Sequence, residues 1–218
     1  MSAPKKKKII FVCTGNTCRS PMAEALLKSE IKRLHIQGVE VCSAGMAVGK
    51  DATINSYSIK TLAENGLELV NFQSTPLCEQ HLENGIIICM TERQRNQLVQ
   101  AQLRLYHEGR LSNKQGNIYS FVDVAGYEIP DPYGLTLDHY RYVFQQMSLA
   151  LSAIIQKFCV ETPAPKKRGR PKKSAEEKAQ TAAKKRKKKS DVAAATSTTE
   201  KAPPKKRGRP RKKPIEAQ

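Results

Sequence analysis

Short apolar runs alternate with longer amphipathic stretches along the first 160 residues. Residues 9–12 (Ile-Ile-Phe-Val) make an apolar run of strand length, and 22–36 then carry apolar residues at helical spacing. Residues 39–42 return to a strand pattern, and 56–64 to a helical one. The alternation continues with an apolar run at 86–90, a helix over 91–105, a strand near 118–121 and a last helix over 135–160. Strands that alternate with helices in this way predict an α/β sandwich around a parallel sheet. In such sheets ligands collect at the carboxyl ends of the strands. The first helix is expected to start with Ser20 as N-cap, Pro21 at the first helical position and Glu24 in the first turn.

The pattern stops near residue 160, and the charge changes there. Through Glu161, 17 Lys and Arg stand against 15 Asp and Glu, whereas from Thr162 onward the count is 21 against 5. The first part is long enough to bury a core, and the second has almost no large apolar residue to offset its ordering entropy. The expected organisation is a folded domain over 7–160 and a disordered basic tail over 161–218. The six cysteines all lie in the first part, several inside apolar runs such as 86–90, a reduced, intracellular usage. No paired C-x2-C element occurs and the four histidines are scattered, so neither a metal nor a cofactor is expected. No signal peptide and no membrane-length apolar run are legible, so a cytoplasmic location without membrane association is expected, with a monomeric body.

Chemistry concentrates at 13–20, CTGNTCRS, directly after the first apolar run and before Pro21. A strand that breaks into a Gly-containing turn and then enters a helix aims backbone N–H groups and the positive helix end at one point, which suits an anion. The same field favours a thiolate at Cys13. A bare Cys-x5-Arg is weak on its own, with a core thiol and a surface arginine as the plain alternative. The strand, Gly15 and the helix start give it the context that phosphoryl transfer requires. Loop amides (Thr14, Gly15, Asn16, Thr17, Cys18) and a bidentate Arg19 match three equatorial phosphoryl oxygens, with Cys13 attacking in line.

VCTGNTCRSPMAEALL, followed by SAG at 43–45 and DPYG at 131–134, resembles the low-molecular-weight protein phosphatase family across about 7–158. The resemblance implies a three-layer sandwich with a four-stranded parallel sheet and hydrolysis of phosphoproteins through a phosphocysteine. It implies Cys13 as nucleophile, Arg19 as phosphate clamp and Asp131 as general acid. It further implies Asn16 and Ser43 as the pair holding the loop backbone, and Ser20 as the hydroxyl that stabilises the thiolate. Taken alone, DPYG is a turn sequence; beside the Cys13 loop, Asp131 reads as the acid that serves both steps. Tyr133 either walls the pocket or packs beneath the loop. The resemblance implies a reversible Cys13–Cys18 disulfide, against which a loop-packing role for Cys18 stands open.

Thr17 bears on substrate. Phosphotyrosine members of the family usually carry a branched apolar residue there, whereas the phosphoarginine branch carries threonine; phosphoarginine is therefore expected, with phosphotyrosine as the alternative. Phe72 stands where the family often has histidine, and Glu92 is not a diagnostic acid. A distant rival is a thiol-dependent arsenate reductase with a similar loop. That chemistry needs a partner thiol near Cys89, and position 96 is Asn96.

The tail repeats KKRGRP at 166–171 and 205–210. The core resembles an AT-hook, with Arg168, Arg170, Arg207 and Arg209 entering the minor groove of A·T-rich DNA and lysines contacting phosphates. A generic polycation or an import signal is the plain alternative. Nucleoid association, or nuclear location in a eukaryote, would follow from DNA binding.

Overall fold

The computed structural model describes residues 6–112 and 116–160, all within a unit that spans Met1–Thr162. The predicted repeats, the tail and Arg168, Arg170, Arg207 and Arg209 lie outside the described residues. Four strands, β1 (Lys7–Cys13), β2 (Val39–Gly45), β3 (Gly85–Cys89) and β4 (Ile118–Ser120), form a parallel sheet in the order β2-β1-β3-β4. The connecting helices are α1 (Arg19–Arg33), α2 (Ser56–Glu64), α3 (Glu79–Asn84), α4 (Glu92–His107), α5 (Phe121–Ala125) and α6 (Leu137–Ile154). A π-helical turn, Ile155–Cys159, ends the described chain after α6.

Alternation along β1 explains the layers. Ile9, Phe11 and Cys13 point to one face of the sheet and pack with Met22 and Leu27 of α1, Leu62 of α2, Phe121 of α5 and Val143 and Met147 of α6. Ile10 and Val12 point to the other face, against Leu82 of α3 and Leu98 of α4. Both faces are covered, so the central strands read as continuous apolar runs rather than alternating ones. The expected three-layer sandwich with a four-stranded parallel sheet is the fold observed.

The start of α1 differs from expectation. Cys18 occupies the N-cap position without a side-chain cap bond, the helix opens at Arg19, and Ser20, Pro21 and Glu24 all lie within it. No acidic residue falls in its first turn. The 13–18 loop curls tightly enough to pass into helical geometry two residues early. Ser20 spends its hydroxyl on the loop instead of on a backbone amide. Pro21 still sits in the first turn, where its missing N–H has no intrahelical acceptor to lose. Two short helices, α3 and α5, were not legible in the hydrophobic pattern.

Candidate active site

Loop 13–20 leaves the carboxyl end of the central strand, as the sequence placed it. Cys13 is buried, with its Sγ 3.0 Å from Ser20 Oγ, and it accepts the Asn16 backbone N–H at 3.3 Å. Asn16 is fully buried and takes φ 56°, a left-handed conformation that asparagine tolerates better than most side chains. Its Nδ2 donates to Ser20 Oγ and to Ser43 Oγ, both at 2.9 Å. Its Oδ1 accepts the Thr75 N–H at 2.8 Å, and its carbonyl accepts Ser74 Oγ at 2.8 Å. Ser43 donates onward to Glu24 Oε2 at 2.6 Å. Because Ser20 already accepts from Asn16, its own proton is available to the Cys13 sulfur.

Gly45 completes the cradle. It pairs with Cys13 across β1 and β2, and a Cβ there would stand 2.9 Å from the Thr14 carbonyl oxygen and 3.0 Å from the Asn16 nitrogen. Glycine thus lets β2 press against the loop backbone, which accounts physically for the SAG sequence. From the other side, Gln94 of α4 donates to Thr14 Oγ1 at 3.2 Å while its Oε1 accepts from Met90 and Thr91 N–H.

Arg19 is buried at 4 % exposure. One terminal nitrogen donates to the Ile129 carbonyl at 3.2 Å and the other to Asp131 Oδ2 at 2.6 Å. Its Nε, also buried, has no hydrogen-bond partner among the described residues, a donor left over for an anion. Cys13, Thr14, Gly15, Thr17, Cys18 and Arg19 line a pocket of ≈ 220 Å³, which Asp131 and Tyr133 flank. Asn16 and Ser20 stand behind the loop and do not line it. Tyr133 is 71 % exposed, at the mouth of the pocket rather than beneath the loop. Asp131 Oδ1 accepts the Tyr133 N–H at 3.3 Å, so the segment is a turn as well as a pocket wall.

Cys13 and Cys18 are both free thiols. Cys18 Sγ lies 3.4 Å from Tyr140 Oη on α6, whose phenol is pushed up first by burial and then by that sulfur. Tyr140, Glu24, Ser74, Thr75, Gln94 and Gly45 are the support residues that the sequence reading missed. For Gln94 a signal existed, the Thr91-x-x-Gln94 capping box that starts α4. Among the described residues no cluster of His, Cys, Asp and Glu could hold a metal ion, and no helix is long and apolar enough to cross a membrane.

A family profile described as low molecular weight phosphotyrosine protein phosphatase matches residues 8–163. The chain belongs to that family. This phosphatase is 35% identical to a protein-arginine-phosphatase of Bacillus subtilis over 133 residues, which cover 61% of this chain and 84% of the relative. It is 31% identical to the low molecular weight protein-tyrosine-phosphatase PtpB of Staphylococcus haemolyticus over 142 residues, 64% of this chain and 91% of the relative. Among solved structures, a YwlE arginine phosphatase with its active-site cysteine replaced by a phosphorylated serine superposes with a TM-score of 0.59. It is 30% identical, and the match covers 69% of this chain and 94% of that one. The phosphatase is therefore a hydrolase of the cysteine-dependent protein phosphatase class.

Burial pushes the thiols of Cys42 and Cys159 up to about 11 and that of Cys89 up to about 12. These three stay protonated far above neutral pH and react slowly with alkylating agents. Iodoacetamide at pH about 8 is expected to leave all three unmodified in the folded protein, as mapped by mass spectrometry; labelling of any of them at a rate like that of the exposed Cys78 would contradict this. Asn16→Ala strips three side-chain hydrogen bonds, two of them buried, from the loop and puts alanine at positive φ. Urea denaturation is expected to show a loss of about 3 kcal/mol, with phosphate affinity falling as well.

Proposed function

We propose that the phosphatase removes phosphate from protein phosphoarginine through a phosphocysteine on Cys13. The observation that carries this reading is the ≈ 220 Å³ pocket in which Cys13 and Arg19 of one loop meet Asp131 of another. In the first step Cys13 Sγ attacks phosphorus in line, the S–P bond forms and the P–N bond breaks. Asp131 gives its proton to the departing guanidine nitrogen. In the second step water attacks the phosphocysteine, Asp131 takes the water's proton, and inorganic phosphate leaves with the Cys13 thiolate restored. Arg19 and the loop amides hold the equatorial oxygens throughout. An arriving phosphate competes with Asp131 for the Arg19 guanidinium, which releases the carboxyl group to face the leaving group. Ser20 and the Asn16 N–H stabilise the sulfur anion in both steps.

Thr17 supports phosphoarginine. It lines the pocket with a small polar side chain, and the Bacillus subtilis relative is a protein-arginine-phosphatase. The phosphorylated serine of the YwlE variant, in place of its active-site cysteine, supports phosphoryl transfer to Cys13. Phosphotyrosine is the second reading, favoured by the exposed Tyr133 ring at the pocket mouth and by the Staphylococcus relative. A cysteine relay of the reductase kind finds no support at Cys89, which is fully buried with its thiol pushed up to about 12. The deciding experiment is the kcat/KM ratio for a phosphoarginine protein over a phosphotyrosine peptide, with Cys13→Ser as the blank. A ratio well above one is expected; a ratio well below one would make Thr17 a tolerated variant of a tyrosine phosphatase.

For the tail, the repeated KKRGRP and the count of 21 basic against 5 acidic residues from Thr162 onward support DNA binding. Replacing Arg168, Arg170, Arg207 and Arg209 by alanine is expected to weaken binding to A·T-rich duplex more than to G·C-rich duplex. Equal weakening on both would mean a generic polycation.

A further inference from the structure

One face of α4 carries Arg93, Gln97, Gln100 and Arg104, spaced four, three and four residues apart and so aligned along the helix. All four border a groove of ≈ 1020 Å³ that reaches Thr14 at the lip of the phosphate pocket. A second hollow, of ≈ 500 Å³, joins Arg93 and Gln97 to Arg19 and Asp131. The groove is therefore continuous with the site where the reaction is read to occur.

Charge singles it out. Of the seven arginines among the described residues, five hold carboxylates: Arg19 on Asp131, Arg33 on Glu30, Arg95 on Asp123, Arg110 on Glu79 and Glu108, and Arg141 on Glu64 and Asp138. Arg93 and Arg104 are the two without a carboxylate partner among the described residues, and both border this groove. Two carboxylates also border it, Glu92 and Glu128. Glu128 accepts the Glu92 N–H at 2.7 Å, and both stand at the positive end of α4, whose dipole offsets their charge.

We propose that this groove docks an extended acidic segment of the phosphoprotein substrate, adjacent to the phosphorylated residue. Two carboxylates of that segment meet Arg93 and Arg104, while Gln97 and Gln100 offer carboxamides to its backbone. Eleven residues of helix separate the arginines by about 16 Å. A strand rising roughly 3.3 Å per residue covers that span in about five residues, which fixes the spacing of the two acids. The proposal rests on the phosphatase reading above and adds to it a determinant of which phosphoproteins are chosen.

The test compares two phosphopeptides with the same phosphorylated residue, one with aspartates five positions apart in the flank and one with asparagines there. The readout is the ratio of their kcat/KM values within each variant, so that any effect on chemistry cancels. The full-length wild type is expected to favour the acidic peptide by about five- to tenfold at low salt, with the preference shrinking as salt screens it. Arg93→Ala with Arg104→Ala should bring the ratio close to one, and Arg93→Glu with Arg104→Glu should invert it. Circular dichroism checks that the variants fold. A wild-type ratio near one, or one that the variants leave unchanged, overturns the groove while turnover of a small aryl phosphate by the wild type keeps the phosphatase reading. Failure to turn over the aryl phosphate overturns both.

Discussion

The shape of the 13–20 loop depends on one buried side chain, Asn16. A loop that turns its amides towards a single anion crowds like dipoles together and forces left-handed backbone, here φ 56° at Asn16 itself. The same residue offsets that cost by tying the loop to α1 through Ser20, to β2 through Ser43, and to the following segment through Ser74 and Thr75. The bonds to Ser20 and Ser43 are buried and those to Ser74 and Thr75 partly so, and losing a buried partner leaves an unsatisfied polar group rather than a hydrated one. The loop is held in shape before any anion reaches it, the preorganisation that makes electrostatic stabilisation effective.

The sheet decides where that loop stands. β1 lies between β2 and β3, so the chain leaves it on one side for β2 and returns on the other for β3. The crevice between these departures opens at the carboxyl end of β1, where Cys13 ends the strand. The same edge anchors the second half of the site. The Ile129 N–H bonds to the Met90 carbonyl just past β3, and the Ile129 carbonyl accepts from Arg19. One backbone bond and one from the Arg19 side chain, both made by Ile129, thus bring Asp131, more than a hundred residues from Cys13, to the mouth of the pocket.

Much of this was legible from residue pattern. Apolar runs located β1 and β3 because a sheet covered on both faces leaves its central strands uniformly apolar. Shorter strand patterns at 39–42 and 118–121 located the edge strands β2 and β4, and the loop motif stood out because of its fixed spacing. Helix starts were less legible. Ser20-Pro21 is a strong local start signal, yet the loop's own curvature began α1 at Arg19 and turned Ser20 towards sulfur. The short helices α3 and α5 have too few turns to show a period. The support residues Glu24, Thr75 and Tyr140 were hidden for another reason: each acts through a contact far away in sequence. The Arg93 to Arg104 stripe was not singled out in the sequence, because only the ion-pair pattern of the fold separates it from an ordinary solvated face.

The central claim is that Cys13 itself takes the phosphoryl group. Rapid denaturant quench of the Asp131→Ala protein during turnover of an activated aryl phosphate, followed by peptide mapping under mild conditions, tests it directly. The account predicts phosphate on the peptide containing Cys13, on its sulfur, at a level that follows the steady state. Phosphate on another residue, or none while turnover proceeds, would contradict it.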